Sequence, residues 1–370
     1  MAQDRLEDPT RGQGAAARAQ GLTWEGIVNA ARPVIGDKCR ACLVCDGRAC
    51  GNSIPGPGAK GTGVVARRNY DAWQHVMLVM DTLVGEDDID TSCEMFGRTL
   101  SYPVFIGPVG DVNRHYGPSI DTLGYNRLSL RAAKAQGVAA FTGDGVPDEL
   151  FEASCAAIGE VGGTGVPTVK PWSLETCARK ISVARSCSPI AIAMDVDAAG
   201  LPFLKGLEPP AGPKSPEELA SIVSSCEGVP FIVKGVMSVR GAIKAAQAGA
   251  SAVVVSNHGG RVLDGCSATA WVLPQVARAV HERFPGVKVL VDGGIRSGVD
   301  VFRALALGAD ATLVCRPFVT AAYGAGQDGI EFLLTKLRDE LADAMMMCGA
   351  RRVADICADM IEAPTSEGGR

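Results

Sequence analysis

The stretch SVRGAIKAAQAGASAVVVSNHGGR, residues 238–261, contains one complete unit of the fold. Residues 238–248 have the Ala-rich amphipathic pattern of a helix, and Gly249 follows where a helix-ending glycine is expected. The apolar, β-branched run at residues 250–256 then predicts a buried strand. A polar turn with a histidine, two glycines and an arginine comes next. The stretch therefore predicts a helix, a strand and a functional turn in that order.

The same pattern recurs along the chain from residue 103 onward. The apolar runs lie at residues 103–109, 137–142, 167–172, 190–196, 230–236, 250–256, 288–292 and 311–315. A second clear helix pattern covers residues 297–307 and is followed by Gly308. Continuous apolar strands that alternate with helices favour a parallel sheet covered on both faces. Eight of them favour a closed barrel, so we predict an α/β fold, a (β/α)8 TIM barrel with an N-terminal Cys-rich extension.

The composition and charge of the chain exclude several classes of protein. The chain has 370 residues, 47% of them hydrophobic, and a net charge of −5 with no long basic run, so we expect no nucleic-acid partner. No apolar run approaches the roughly 20 residues of a membrane span, and the N-terminus lacks the apolar core of a secretion signal. Thirteen cysteines then suggest reduced thiols or metal ligands in a cytoplasmic protein. We also expect a homo-oligomer.

Three segments are predicted along the chain. Residues 1–22 are expected to be a disordered tail, residues 23–100 an N-terminal segment with a cysteine cluster, and residues 101–360 the barrel. A glycine pattern at residues 56–61 matches G-x-G-x-x-G formally. Because it follows no strand and opens no βαβ unit, we predict a loop there.

The ends of the predicted strands carry most of the candidate functional residues. In a barrel of this kind the active site lies at the C-terminal strand ends. His258 and Arg261 follow one strand, and a histidine base beside a forked guanidinium suits the oxidation of a hydroxyl next to a carboxylate. The glycine-rich loop from Asp292 to Gly298 leads into a helix, and Arg316 follows the last strand, which together favour a phosphate site. For any single residue the alternative is a solvated loop charge.

Several segments together resemble the FMN-dependent α-hydroxy-acid oxidase and dehydrogenase family, which includes glycolate oxidase, lactate oxidase and mandelate dehydrogenase. The matching segments are FIVKGV (231–236), SNHGGRVLD (256–264), VDGGIR (291–296), DVFRALALGA (300–309) and RP (316–317). The resemblance covers about residues 103–356. It implies that the chain binds FMN and is an (S)-2-hydroxy-acid oxidase or dehydrogenase that forms a 2-oxo acid.

The resemblance also implies roles for individual residues. His258 would be the base while a hydride or carbanion equivalent passes to flavin N5, and Asp195 would orient His258. Arg261 would hold the substrate carboxylate. Lys234 would lie at the N1/O2 edge of the flavin and stabilise the reduced ring. The other implied flavin contacts are Gly107, Pro108, Val109, Ser256, Asp292, Gly294, Arg296 and Arg316.

The chain departs from the family where substrate is expected. Lys170 and Trp172 stand where the family usually has a Gln-x-Tyr, so both are candidate substrate contacts. No second carboxylate-binding arginine follows Asp195, and Cys315 replaces a glycine before the last arginine. His115 is a further candidate to line the barrel mouth. We therefore predict intact flavin binding and an unfamiliar hydroxy acid.

Four cysteines precede the barrel with the spacing C-x2-C-x2-C-x4-C: Cys39, Cys42, Cys45 and Cys50. Thiolates this close suit one soft metal ion or an iron–sulfur cluster, and the spacing alone leaves zinc and [4Fe–4S] both open. Free cysteines or a redox pair are the alternative. An iron–sulfur cluster near the flavin would favour a dehydrogenase with an electron-transfer partner, whereas a zinc ion would only stabilise the structure of this segment.

Two other functions are compatible with the sequence. One is an FMN barrel with non-redox, isomerase-like chemistry, which the His-Gly-Gly-Arg run disfavours. The other is a catalytically impaired flavin- or metal-binding partner protein, which the missing arginine and tyrosine favour. Fold resemblance alone does not decide among them.

Overall fold

Eight parallel strands close into a barrel in the computed structural model, which describes residues 21–85, 88–145, 147–204, 207–208 and 210–363. The strands in chain order are β1 (Met77–Leu78), β2 (Cys93–Met95), β3 (Arg98–Leu100), β4 (Val104–Ile106), β5 (Ala139–Thr142), β6 (Gly165–Val169), β7 (Ile192–Asp195), β8 (Phe231–Val236), β9 (Ala252–Val255), β10 (Lys288–Val291), β11 (Ala311–Val314) and β12 (Ile361–Glu362). Strands β4 to β11 pair in sequence, and β11 pairs back with β4. The predicted (β/α)8 barrel is confirmed.

Helices cover the outer face of the barrel. They are α1 (Trp24–Ala31), α2 (Val64–Gln74), α3 (Val112–Tyr116), α4 (Thr122–Ala135), α5 (Asp148–Glu160), α6 (Leu174–Ser186), α7 (Pro216–Ser224), α8 (Val239–Gln247), α9 (Thr269–Arg283), α10 (Gly298–Ala306) and α11 (Arg316–Cys348). Ser238 and Ser297 cap α8 and α10 by accepting backbone N–H bonds. Among the described residues, none of the helices is both long and apolar enough to cross a bilayer.

The barrel interior is filled from its N-terminal end. Phe105 and Phe141 meet edge to face inside it, with ring centroids 5.5 Å apart. Met95 and Leu100, from the hairpin β2–β3, join the same buried cluster as Ile190, near the start of β7. The hairpin therefore closes the N-terminal end, and the C-terminal strand ends remain the open mouth.

The segment before the barrel packs on its outer helices. Ile27 of α1 is fully buried, and a Cβ atom on Gly324 of α11 would lie 2.1 Å from the Ile27 carbonyl oxygen. Residues 32–63 contain neither helix nor strand. Residues 1–20 of the predicted tail lie outside the described residues, and the predicted division at residues 22 and 100 stays a prediction.

Candidate active site

A cavity of about 590 Å³ lies at the C-terminal ends of the barrel strands. This volume is within the usual range for cofactor and small-molecule sites. Most of the predicted barrel-site residues line it: Pro108, Val109, Lys170, Lys234, His258, Arg261, Asp292, Gly294, Arg296 and Arg316. Four predicted residues do not line it, namely Gly107, Trp172, Asp195 and Ser256.

Gly107 and Ser256 support the cavity wall from behind. A Cβ atom on Gly107 would lie 2.4 Å from the Cys315 sulfur, so a side chain here would require Cys315 to move. The Ser256 hydroxyl accepts bonds from Lys234 Nζ and from the His258 backbone N–H, each at 3.1 Å. These two residues contact residues of the cavity wall, and their implied contacts with the flavin stay predictions.

His258 lies between two carboxylates. Its Nδ1 is 3.0 Å from Asp197 Oδ1, whereas its Nε2 is 4.0 Å from Asp195 Oδ2. The carboxylate of Asp195 instead accepts a bond from Lys170 Nζ at 2.6 Å. Asp197, which was not predicted, is therefore the carboxylate that holds Nδ1, while the predicted role of Asp195 in stabilising the imidazolium stays a prediction. Sequence reasoning missed Asp197 because it lies in the short 3-10 helix that follows β7, which strand periodicity does not describe.

The surroundings keep the imidazole neutral. Burial lowers the pKa of His258 well below its ordinary value, and the cation of Lys234 lowers it further. Burial raises the pKa of Asp197 to about 6, against the opposing effect of Lys234 and Lys170. A neutral ring whose Nδ1–H donates to an ionised Asp197 leaves the Nε2 lone pair able to accept a proton.

Lys234 is a buried cation at the centre of the site. Its Nζ lies 3.2 Å from Asp292 Oδ2. Burial lowers the pKa of Lys234, but the charges of Asp292, Asp197 and Asp195 outweigh that effect and raise the pKa above its ordinary value. The ammonium group therefore stays charged inside the barrel mouth.

Three arginines on the cavity wall bond backbone carbonyls instead of carboxylates. Arg261 Nη1 donates to Gly56 O at 2.5 Å and to Gly58 O at 3.1 Å. Arg296 Nε donates to Cys45 O at 2.6 Å, and Arg316 Nη2 donates to Gly259 O at 2.8 Å.

Within the described ranges, none of these arginines forms an ion pair with a carboxylate. Burial lowers the pKa of Arg261 to about 10, so its guanidinium is still charged at neutral pH. Three uncompensated cations in one cavity suit anionic ligand groups such as a phosphate and a carboxylate.

A glycine-rich turn forms the wall beside Arg296. Gly293 and Gly294 have φ angles of 86° and 89°, in the left-handed region. A Cβ atom on Gly294 would lie 2.4 Å from backbone atoms of Asn69. In the same wall, Asp292 Oδ1 is buried without a hydrogen-bond partner. Exposed backbone, an orphaned polar atom and unpaired cations fit a phosphorylated cofactor such as FMN.

Trp172 is placed differently from the prediction. Its side chain is buried, and its indole N–H donates to Asp144 Oδ2 at 2.6 Å. Strand β6 ends at Val169, three residues earlier than expected, and the buried indole does not line the cavity. The predicted substrate contact by Trp172 is therefore corrected. His115 does line the cavity, where its Nδ1 accepts the Gly56 N–H at 3.0 Å.

The four N-terminal cysteines line a second, smaller cavity. Tyr116 and Arg316 line both this cavity and the larger one. All thirteen cysteines are free thiols. Among the described residues, no three of the four sulfur atoms lie within 4.8 Å of one another.

Comparisons with known proteins agree with this geometry. The family model described as FMN-dependent dehydrogenase matches residues 57–201 and 211–363. The chain is 30% identical to the 4-hydroxymandelate oxidase of Amycolatopsis orientalis over 354 residues, covering 83% of this chain and 94% of that enzyme. It is 48% identical to the L-lactate dehydrogenase of Xanthomonas axonopodis pv. citri (strain 306) over 138 residues. That second alignment spans 37% of this chain and 35% of the relative.

Solved structures give the same result. Mandelate oxidase superposes with a TM-score of 0.74 at 27% identity, covering 92% of this chain and 98% of that chain. A mandelate oxidase variant with (S)-mandelic acid gives a TM-score of 0.73 at 28% identity, with the same coverage of both chains. The predicted family and barrel are confirmed, and the predicted reaction class agrees with the names of these enzymes. The chain therefore belongs to the FMN-dependent dehydrogenase family.

Proposed function

We propose that this chain oxidises a 2-hydroxy acid to a 2-oxo acid with FMN, and that His258 is the base. The observation that carries the proposal is a neutral imidazole held by Asp197 in a cavity whose walls present unpaired arginines. Bound FMN would supply the redox chemistry by accepting the two electrons that leave the substrate. The residues of the chain supply position, charge and proton transfer.

Arg261 would bind the substrate carboxylate. Its guanidinium is buried and lines the same cavity as His258, and its partners are neutral carbonyls. A carboxylate is a stronger partner for a guanidinium than a carbonyl oxygen, so substrate would draw Arg261 toward itself. The substrate hydroxyl would then face His258 Nε2.

His258 would take the hydroxyl proton at Nε2. The Nδ1–H donates to Asp197, which fixes the ring and its tautomer. The imidazolium formed by that transfer lies beside Asp197 and Asp195, whose negative charges stabilise it. Lys170 compensates the charge of Asp195 and lines the cavity, so it is a candidate to meet the substrate.

The remaining wall residues would hold the cofactor. Arg296 and Arg316 suit its phosphate, and the backbone at Gly294 permits a close approach. The buried ammonium of Lys234 suits a ring edge on which negative charge develops. Pro108 and Val109 add backbone and an apolar surface to the same cavity.

Replacement of His258 by asparagine tests this proposal. His258→Asn should bind FMN with nearly wild-type affinity, yet a 2-hydroxy acid that reduces the wild-type flavin should leave its flavin oxidised. Equal reduction rates in both proteins would exclude His258 as the base. Substrate turnover without net flavin reduction would instead support isomerase-like chemistry, and no turnover with any acid would support an impaired flavin-binding protein.

The proposal also includes a metal site, a cellular compartment and binding partners. The four N-terminal cysteines are proposed as a metal site, either zinc or an iron–sulfur cluster, because they line one cavity. The thirteen free thiols suit a reducing compartment such as the cytoplasm. We retain an electron-transfer partner and a homo-oligomer as predictions, which an electron-acceptor screen and the mass in solution would test.

A further inference from the structure

We infer that Cys39, Cys42, Cys45 and Cys50 ligate a [4Fe–4S] cluster that carries electrons from FMN to an external one-electron acceptor. The assignment deepens the proposed function and, for its electron route, rests on it. Four observations support it: the cysteine spacing along the sequence, the irregular backbone of the segment, the cations beside it and its wall shared with the FMN cavity.

The cysteine spacing along the chain favours a cluster. The pattern C-x2-C-x2-C-x4-C is close to the C-x2-C-x2-C-x3-C run of bacterial ferredoxins, and all four cysteines line one cavity. A cubane cluster binds each cysteine through a different iron, so four such cysteines can hold one cluster.

The segment that carries the cysteines has an irregular backbone. Residues 32–63 contain neither helix nor strand, which is a long irregular stretch for a compact domain. Its cysteines form no disulfide. Isolated contacts hold it, such as the bond from Trp24 Nε1 to Leu43 O and the ion pair of Arg48 with Asp71. A cluster with four protein ligands would fix such a loop directly.

Two arginines face the cysteines. Arg296 Nη2 lies 3.9 Å from Cys45 Sγ, and its Nε donates to the carbonyl oxygen of the same residue. Arg316 lines the cysteine cavity and bonds the Gly259 carbonyl. A cluster with four thiolate ligands is anionic, and N–H donors near its sulfurs also tune its potential.

The cysteine cavity adjoins the FMN cavity. Tyr116 and Arg316 line both, and Arg296 spans from Cys45 to the larger cavity. On the outer side, Leu43 and Val44 lie between two of the cysteines and are 45% and 50% exposed. A cluster here would therefore lie between the cofactor and the protein surface.

The proposed electron transfer balances if the final acceptor takes one electron at a time. Oxidation of one 2-hydroxy acid delivers two electrons to FMN. Reduced FMN then passes them singly to the cluster, which cycles between its oxidised and one-electron-reduced forms. Two equivalents of a one-electron acceptor, such as a ferredoxin-type protein, take them away. The two substrate protons leave to solvent.

Metal analysis of the full chain tests the ligand assignment. The protein is purified without oxygen, or reconstituted with ferrous iron and sulfide, and iron, sulfide, zinc and FMN are each measured. We expect about four irons and four sulfides per chain. Cys42→Ser should lose most of the iron, whereas Cys357→Ser, an exposed cysteine outside the cluster, should retain it. Zinc without sulfide, or no metal after reconstitution, overturns the assignment.

Electron paramagnetic resonance tests the route. Light-driven reduction of the bound FMN, without substrate, should produce the signal of a reduced cluster in the wild type and in Cys357→Ser. An FMN-loaded protein whose cluster stays oxidised, although dithionite reduces it, overturns the route. Retained FMN in Cys42→Ser checks that this variant is folded. A cluster in a protein that cannot bind FMN would support the ligands and overturn both the route and the proposed function.

Discussion

Asp197 determines how His258 is held, because its Oδ1 lies 3.0 Å from Nδ1. Replacement by asparagine removes the charge that orients the ring and stabilises the imidazolium. We expect Asp197→Asn to lower kcat/KM by about 100- to 10,000-fold while FMN stays bound. Asp195→Asn is the matched comparison, since that carboxylate is 4.0 Å from Nε2 and bonds Lys170. A larger loss in Asp195→Asn than in Asp197→Asn would contradict this assignment.

The same carboxylate predicts the pH dependence of catalysis. Burial raises the pKa of Asp197 to about 6, while the pKa of His258 lies well below its ordinary value. As pH falls through about 6, Asp197 gains a proton and loses the negative charge that strengthens the Nδ1–H bond and stabilises the imidazolium. We therefore expect kcat/KM to be constant at neutral pH and to fall below about pH 6. A profile of initial rates checks this, and an unchanged acid limb in Asp197→Asn would refute it.

The residue types at the strand ends could be predicted, but not all of their contacts. His258 and Arg261 follow an apolar strand in a motif with a known chemical logic, and both line the cavity. Asp197 was missed because the turn after β7 decides which of two nearby carboxylates meets the histidine. Trp172 was misplaced because one strand begins and ends earlier than its apolar run indicated.

A prediction about a single structural element concerns the turn after β10. Gly294 has a φ of 89°, and a Cβ there would lie 2.4 Å from Asn69 O. We expect Gly294→Ala to lower the free energy of unfolding by about 1–3 kcal/mol and to weaken FMN binding. Chemical denaturation and flavin titration measure the two effects. Gly286→Ala is the control, because a Cβ there meets open space. Wild-type FMN affinity in Gly294→Ala would show that this turn does not form the cofactor site.

The regular elements followed from their sequence patterns. The helix predicted at residues 238–248 is α8 with Ser238 as its cap, and Gly249 takes the expected left-handed conformation at φ 97°. The pairings β1–β12 and β2–β3 were not predicted. Both involve strands of two or three residues, too short for periodicity to reveal.

At the scale of the whole molecule, helix α1 anchors the N-terminal segment to the barrel. Ile27 is 1% exposed and packs near Gly324 of α11. Removing its side chain leaves a cavity, so we expect Ile27→Ala to lower the free energy of unfolding by about 2–5 kcal/mol. Val34→Ala, at a side chain 39% exposed, should change it by less than about 0.5 kcal/mol. Equal unfolding midpoints for the two variants would mean that α1 does not stabilise the barrel.

The barrel could be predicted from the sequence because the same strand–helix pattern repeats along the chain. Eight apolar runs separated by amphipathic stretches have few alternative arrangements. The path of residues 32–63 could not be predicted, because individual contacts, such as the bond from Arg296 to Cys45 O, determine the path of an irregular segment. The hydrogen bonds from Arg261 to the carbonyl oxygens of Gly56 and Gly58 could not be predicted for the same reason.

The central claim is that this cavity holds FMN and that 2-hydroxy acids reduce it. The most direct measurement adds a panel of aliphatic and aromatic 2-hydroxy acids, without oxygen, to the FMN-loaded protein and follows the visible flavin band. We predict that at least one acid bleaches the band and yields one 2-oxo acid per flavin in the wild type, but not in His258→Asn. A flavin that stays oxidised with every acid, yet is reduced at once by dithionite, would contradict the account.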